Sequence, residues 1–572
     1  MLTNVLDIDL AAQQVSIKHM RGAILLFDFK AAFPSVAHAM LWDVLAASGI
    51  DDDFIKALQL FYYNNNHILK VKGEVFPGVS VHSGVRQGCP LSGLLFAQCV
   101  DVLLIRMRRV MTPEEDTGAF ADDIAAVVAD FEKSLPTLAI LFREFHRISG
   151  LMLQIKKTVF IPLWPLASVT SLRTLIKECS GFWGDITIAT HGRYLGYQIG
   201  PGSGESSWTK PLAKYERAVA HWASLRLGLF MNTLAYNTYI APLLEFVAQL
   251  HDITDTVVAR EQWALRRLAP GPGMWIGAAD LENLTELGQI VEFRTVTFTA
   301  MAAKLRLCAT IARGAVRKRQ DLTEAQQNVF RRPFTQWHYR SYYGILCDNE
   351  ASLRRHGVLI RDIWEKLRMR QGDVARSSFQ KVARETIKKQ LGGFISESRV
   401  RQKMSRWSVG GFPRIVAQRV CSNFALIKEH CRPCVASAYL RATWNGWPTS
   451  WRMRTMAGTK VLSCVFGCEG GVDKLEHYAV CGKVWPFLQR ARPGGLGLDG
   501  AHRSLDGFLL VSSAMSKDDK LAMAIGVYAV GRAVAQCSRR KDQVCVESLL
   551  RLHAREGLRG SKARRILSAH SL

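Results

Sequence analysis

The stretch "GAFADDIAAVVADF", residues 118–131, constrains this chain more than any other. Apolar residues lie on both sides of Asp122 and Asp123, so the flanks are expected to be buried. Two adjacent carboxylates in such a setting repel each other and resist leaving water. Either the pair sits at an exposed turn, or something positively charged lies beside it. The pattern "AFADDIAAVVAD" fits two short strands meeting at a turn. A third carboxylate, Asp28, ends the apolar run "AILLFDFKAAF", where a buried strand should give way to a loop. Strand ends in α/β folds are where sites gather. If the two segments are neighbouring strands, three carboxylates converge on one point. Such a group suits hard divalent cations with oxygen ligands, Mg²⁺ above all. Two ions about 4 Å apart would clamp the attacking and leaving oxygens of a phosphoryl transfer.

The rest of the composition narrows the partners. With 572 residues, the length suggests roughly three or four domains. The net charge of +26 points to a polyanion partner, nucleic acid being the commonest, with a generally basic soluble surface as the alternative. Thirteen scattered cysteines do not form a disulfide framework and point to a reducing compartment. The start "MLTNVLDIDLAAQQ" is acidic and reads as no signal peptide. The apolar run "LAMAIGVYAVG", 521–531, is closed by Lys520 and Arg532 and is too short to cross a bilayer. The expectation is a soluble intracellular protein, nuclear or cytoplasmic and not secreted, with no membrane partner.

Residues 1–200 intermix strands and helices. "AILLFDF" reads as a buried strand, and "SVAHAMLWDVLAASG" as a helix closed by Gly49. A further helix is expected over "DDDFIKALQLFYYNN", with Asp51–Asp53 at its positive N-terminal end. "GPGSGESS", 200–207, punctuates the chain as a boundary. Beyond it strand signals become scarce and helical patterns carry Trp, Arg and Lys.

Between the aspartates lies "HSGVRQGCPLSGLLFAQCVDVLL", residues 82–104, where Gly84 and Gly88 bracket Arg86 and Gln87, and Pro90 and Ser92 open a helical run. Glycines there permit close backbone approach to a large ligand. An Asp-Asp pair alone is ordinary, as is a Gly-rich loop before a helix. Their combination and order are not. "FDFKAAFPSV", "GVRQGCPLSGLLF", "FADD" at 120–123, "SGLMLQIKKT" at 149–158 and "GRYLGYQIG" at 192–200 follow one another over about 175 residues. In that order they resemble the motifs of reverse transcriptases of non-LTR (LINE-type) retrotransposons.

The resemblance implies an α+β palm of the right-hand polymerase type, with a ferredoxin-like sheet, over residues 1–200. A mainly helical thumb would follow over 205–300, then a basic helical connector over 301–455, a small zinc knuckle over 456–490 and a helical C-terminal tail over 491–572. It implies an RNA-directed DNA polymerase with two catalytic Mg²⁺ ions held by Asp28, Asp122 and Asp123. Phe33 would be the aromatic gate under the deoxyribose. Arg86, Gln87 and Gly88 would line the incoming nucleotide and template, and Lys157 would sit near the pyrophosphate, with Lys156 competing for that assignment. The partners would be an RNA template, a DNA primer or target and deoxynucleoside triphosphates, with no small-molecule cofactor. Asp28 comes so early that no room remains for a fingers subdomain, and "TNVLDIDLAA" is similar to the last piece of one. The expectation is therefore an N-terminally truncated palm. The rival reading is an inactive remnant that binds RNA or DNA without polymerising.

A second constellation lies at 464–481. "CVFGCEGGVDKLEHYAVC" spaces Cys464, Cys468, His477 and Cys481 as two close pairs, which suits one tetrahedral structural Zn²⁺. Gly467, Gly470 and Gly471 allow the tight turns. The cluster resembles the Cys-Cys-His-Cys knuckle downstream of the polymerase in the same elements, with Arg452, Arg454 and Lys460 nearby to contact nucleic acid. "HCRPC" at 430–434, with Cys421, lacks a convincing second pair and reads as buried or incidental. In the helical middle, Arg217, Trp222 and Arg226, and the clusters "RGAVRKRQ", "FRRPF" and "RQKMSRW", are candidate phosphate contacts or solvated helix faces.

Overall fold

The computed structural model of the chain describes residues 1–19, 21–165, 168–320, 341–369, 378–454, 460–489, 496–538 and 545–567. They form two compact units. One comprises Met1–Lys210, Leu250–Asp252 and Lys304–Arg355; the other comprises Pro211–Gln249, Ile253–Ala303 and His356–Leu572.

In the first unit, helix α1 (Leu2–Lys18) precedes strand β1 (Ala23–Phe27). Short α2 (Ala32–Ser35), α3 (His38–Ala47) and α4 (Asp52–Tyr62) follow. Gly49 ends the α3 segment with φ 76°, the left-handed conformation that glycine adopts without a Cβ penalty. Asp51 caps α4, its carboxylate accepting from the backbone N–H groups of Asp53 and Phe54. Both helices stand where the apolar spacing puts them. Strands β2 (Asn66–Val71) and β3 (Glu74–Ser80) then form a separate antiparallel ribbon. Almost all of that ribbon is solvent-exposed, apolar Ile68, Val75 and Phe76 included.

Helix α5 (Ser92–Val110) leads into the hairpin of β4 (Asp116–Phe120) and β5 (Asp123–Val128). Helix α6 (Phe131–Ser149), β6 (Val159–Pro162), α7 (Val169–Cys179) and β7 (Thr187–Ile188) complete a five-stranded sheet in the order β4-β5-β1-β6-β7. All its pairs are antiparallel except β6–β7. A two-stranded hairpin, β8 (Gly192–Tyr194) and β9 (Tyr197–Ile199), stands beside it.

The central strands are buried on both faces, which is why β1 and β5 read as unbroken apolar runs. On one face Leu25, Phe27, Ile124 and Ala126 join α3, α5 and α6 in a core that includes Phe96, Phe142 and Trp183. On the other face α1 packs across β4 and β5, and Gly192 lies so close to the sheet that a Cβ there would meet Leu26 Cδ1 at 2.6 Å. Buried Asp9 of α1 accepts from Gln13 Nε2 at 3.2 Å and from the backbone N–H of Tyr342 at 3.0 Å. The stretch after residue 304, which falls in the expected connector, thus contributes to the same unit as the sheet.

The second unit is helical. The 21-residue helix Lys517–Cys537 has 13 buried residues, carries the run "LAMAIGVYAVG" and packs on helices Pro433–Thr443 and Val546–Leu558. What reads from sequence as a small tail is therefore core. Among the described residues, no helix is long and apolar enough to cross a membrane. Asp280 anchors the unit from within, accepting a bidentate pair from Arg399 at 2.6 and 2.8 Å and a bond from Trp444 Nε1 at 3.3 Å. Of the cysteines in and near "HCRPC", Cys431 is buried and its thiol is pushed up to about 12 by that burial, while Cys434 and Cys421 are half-buried. The basic stretch "FRRPF" lies outside the described residues, and of "RGAVRKRQ" only the helical backbone is described.

Candidate active site and cysteine–histidine cluster

Strand register brings the three aspartates together. Phe27 of β1 pairs with Ile124 of β5, so Asp28 and Asp123 occupy the next position along the two strands. In an antiparallel pair such residues lie about 5 Å apart at Cα and project to the same face. Phe120 pairs with Asp123, leaving Ala121 and Asp122 as a two-residue turn. Ala121 has φ 55°, which costs a residue with a Cβ about 1–2 kcal/mol. That turn is held from outside. Tyr194 Oη donates to the Gly118 carbonyl at 3.1 Å, and Asn4 Nδ2 donates to that of Ala119 at 2.6 Å. The β8–β9 hairpin and α1 thus set the position of Asp122.

The electrostatics match this convergence. Burial, then Asp122 and Asp28, raise the Asp123 carboxyl above the ordinary range, while Arg193 on β8 opposes them. Arg193 escaped the reading of individual residues, although the motif that contains it was legible. Lys157 Nζ stands 3.8 Å from Asp28 Oδ2, beside the carboxylates. The backbone carbonyl of Lys156 accepts from Thr187 Oγ1 at 2.7 Å. Asp28 Oδ2 is buried and accepts no hydrogen bond from the described residues. An unsatisfied buried carboxylate oxygen, in a group of three acids with only partly compensating cations, is the donor set a hard divalent cation takes.

The loop after β3 is tied to the segment after Asp28. Val85 N donates to the Phe33 carbonyl at 2.8 Å, and Gly84 N to that of Val36 at 2.7 Å. Gly84 has φ 84°, and a Cβ there would meet the Pro34 carbonyl oxygen at 2.5 Å, so only glycine fits. Phe33 is half-buried and stacks on Phe96, with centroids 4.6 Å apart. Arg86 turns toward α4: its guanidinium donates to the Phe61 carbonyl at 2.6 Å and lies 4.2 Å over the Phe61 ring. Gln87 and Gly88 are exposed, Gly88 with φ 89° and open space where a Cβ would stand.

The sequence of this unit has known relatives. Residues 3–199 match the family described as reverse transcriptase (RNA-dependent DNA polymerase). These residues are a reverse transcriptase domain. The relatives that it resembles come from transposable elements. The chain is 31% identical over 160 residues to the Pol polyprotein of the type-2 retrotransposable element R2DM of Drosophila melanogaster, covering 27% of this chain and 15% of that one. It is 27% identical over 194 residues to the Pol polyprotein of the type-1 element R2 of Popillia japonica, covering 32% and 30% respectively. It is also 31% identical over 116 residues to an uncharacterized 149 kDa protein of transposon TX1 from Xenopus laevis, covering 19% and 9%. The matched segments thus span less than a third of each relative.

In the second unit, the ligand atoms of Cys464, Cys468, His477 and Cys481 all lie within 4.8 Å of one another. A tight turn, with Gly467 N donating to the Cys464 carbonyl at 3.0 Å, brings the first pair together. Short helix Leu475–Tyr478 presents His477, and Gly471 lies against its imidazole, where a Cβ would meet Cε1 at 2.5 Å. His477 Nε2 is buried without a hydrogen-bond partner among the described residues. The hydrogen bond shared with Cys481 holds the Cys464 thiol well below its ordinary range and drives that of Cys481 up. Crowded thiols that share protons, with an orphaned imidazole nitrogen, fit a tetrahedral Zn²⁺. Around them, Arg454 lies 4.1 Å over the ring of half-exposed Trp451, with Lys474 Nζ at 5.6 Å, and Lys460 is exposed. Arg452 is bonded to the carbonyls of Asn445 and Gly273. Earlier in the chain, Trp222 stacks on Tyr239 while Arg217 and Arg226 are exposed.

Proposed function

We propose that the chain is an RNA-directed DNA polymerase of a LINE-like retroelement, extending a DNA 3′-hydroxyl on an RNA template. The observation that carries this reading is the convergence of Asp28, Asp122 and Asp123 at one end of the sheet, within a reverse transcriptase domain. Asp28 and Asp122 would hold two Mg²⁺ ions, with Asp123 beside them, and the ions when bound neutralise phosphate charge and acidify the attacking hydroxyl. The chain's own part is positioning. Phe33, stiffened by its stack on Phe96, offers a flat wall that discriminates against a 2′-hydroxyl. The open backbone at Gly88 and the exposed Gln87 line the nucleotide and template, while Arg86 acts by locking their loop onto α4. Lys157, already drawn to the carboxylates, supplies a cation for the leaving pyrophosphate.

On this reading the sheet unit is the ferredoxin-like palm of a right-hand polymerase. Residues 205–300 act as the thumb, 301–455 as the connector, 456–490 as a structural zinc knuckle and 491–572 as the C-terminal part. RNA template, DNA primer and deoxynucleoside triphosphates are the partners, in keeping with the net charge of +26. The test is primer extension on an RNA template with Mg²⁺, comparing the native chain with Asp122→Asn plus Asp123→Asn. Extension by the native chain alone is expected. Equal signal from both would overturn the assignment and leave a nucleic-acid-binding protein without polymerase chemistry.

A further inference from the structure

The second unit contains a cavity of about 1140 Å³ whose wall includes six arginines: Arg226, Arg266, Arg267, Arg432, Arg441 and Arg532. None of its lining residues is Asp or Glu. Six like charges around one space repel each other, and a wall without a carboxylate gives them no internal counterion. Three of the six are partly used by the protein. Arg432 donates to the Glu556 carbonyl at 2.7 Å, Arg441 lies 4.9 Å over the Trp275 ring, and Arg267 lies 5.9 Å over the Trp263 ring. Arg226, Arg266 and Arg532 are exposed, and their guanidinium groups make no hydrogen bond or ion pair with the described residues. Between the arginines the wall is apolar, with Leu227, Phe230, Pro433 and Trp447.

We propose that this cleft binds the phosphodiester backbone of a single-stranded nucleic acid, through a site separate from the carboxylates of the sheet unit. Guanidinium groups pair with phosphates, and the apolar wall between them receives base faces, the two interactions by which single strands are held without sequence readout. The volume exceeds the 300–1,000 Å³ or so typical of small-molecule pockets, which favours a chain-like ligand. The inference stands whether or not the chain polymerises, since it rests on charge and shape in the second unit alone.

The experiment measures binding of the full chain to a fluorescently labelled oligouridylate and to the matching oligothymidylate, by anisotropy across a salt series and without nucleotides. The native chain is compared with a triple variant, Arg226→Gln, Arg266→Gln and Arg532→Gln. The triple variant should bind at least about tenfold more weakly at moderate salt, with a salt slope shallower by about 2, that is roughly 0.7 for each phosphate left without its arginine. Weaker binding of both probes assigns the site to the shared phosphodiester; weaker binding of the RNA probe alone adds an interaction with the 2′-hydroxyl. Unchanged affinity and slope for both probes would overturn the proposal. So would polyglutamate binding that disappears in the variant while nucleic-acid binding does not, since that assigns the cleft to an acidic polypeptide. If the triple variant fails to fold, 4-thiouridine crosslinking of the native chain decides. Crosslinks in residues 224–232 or 528–535 support the cleft, and crosslinks elsewhere only would overturn it.

Discussion

Replacing Asp123 by Asn should stabilise the metal-free chain and weaken its response to Mg²⁺. Asp123 and Asp28 sit one position beyond the Phe27–Ile124 pair, which puts the two acids about 5 Å apart at Cα. Two unit charges at that distance repel by about 3 kcal/mol at an effective dielectric constant of 20. Asp123 is substantially exposed, so solvent and salt screening leave about 1 kcal/mol of that. The sign with pH follows from the raised carboxyl. Its folded value lies above its unfolded value, so stability present at low pH is lost as pH rises through the folded value, and the full cost stands at neutral pH. Asn keeps the shape and removes the charge. In thermal melts at neutral pH with EDTA, the variant should melt about 2–4 °C above the native chain. With saturating Mg²⁺ the native chain should gain more than the variant, because it alone offers the full set of carboxylates. A variant that melts lower in EDTA, or gains as much from Mg²⁺, would refute the argument that these acids are held in mutual repulsion for a cation.

Two further predictions concern the second unit. Purified native chain should carry one zinc ion measurable by metal analysis, and Cys468→Ser should lose the ion and unfold the segment around 460–489, seen as faster proteolysis there; equal zinc content in both would contradict the ligand assignment. Glu261 accepts from Tyr236 Oη at 2.9 Å and from the Val296 N–H at 2.8 Å, and burial raises it to about 7. The unit should therefore lose stability, by about 3 kcal/mol at most, as pH rises from the ordinary carboxylate range through 7, and Glu261→Gln should flatten that slope in urea melts at several pH values.

Much of the first unit was legible because its signals are local. β1 and β5 are short apolar runs buried on both faces, the Asp122–Asp123 pair marks the turn into β5, and Gly49 and Asp51 mark a helix end and a helix start. The cysteine–histidine cluster was legible for the same reason, since all four ligands fall within 18 residues. Other features depend on distance in sequence. The β2–β3 ribbon is exposed on both faces and so shows no alternation to read. The bond from the Tyr342 N–H to Asp9 joins residues 333 positions apart. Helix Lys517–Cys537 looked like a tail because the helices that bury it leave no trace in its own sequence. The arginine-lined cleft gathers residues from four stretches far apart in sequence. Arg86 shows the opposite limit: the motif was correct in place, but its guanidinium is used to hold the loop.

The central claim is that three acids, drawn from the end of one strand and the turn before its neighbour, hold divalent metal. Anomalous scattering from crystals soaked in Mn²⁺ addresses it most directly. A peak bounded by the carboxylates of Asp28 and Asp122, and absent in Asp28→Asn, is the predicted result. No peak there in the native chain, or one that persists undiminished in the variant, would contradict it.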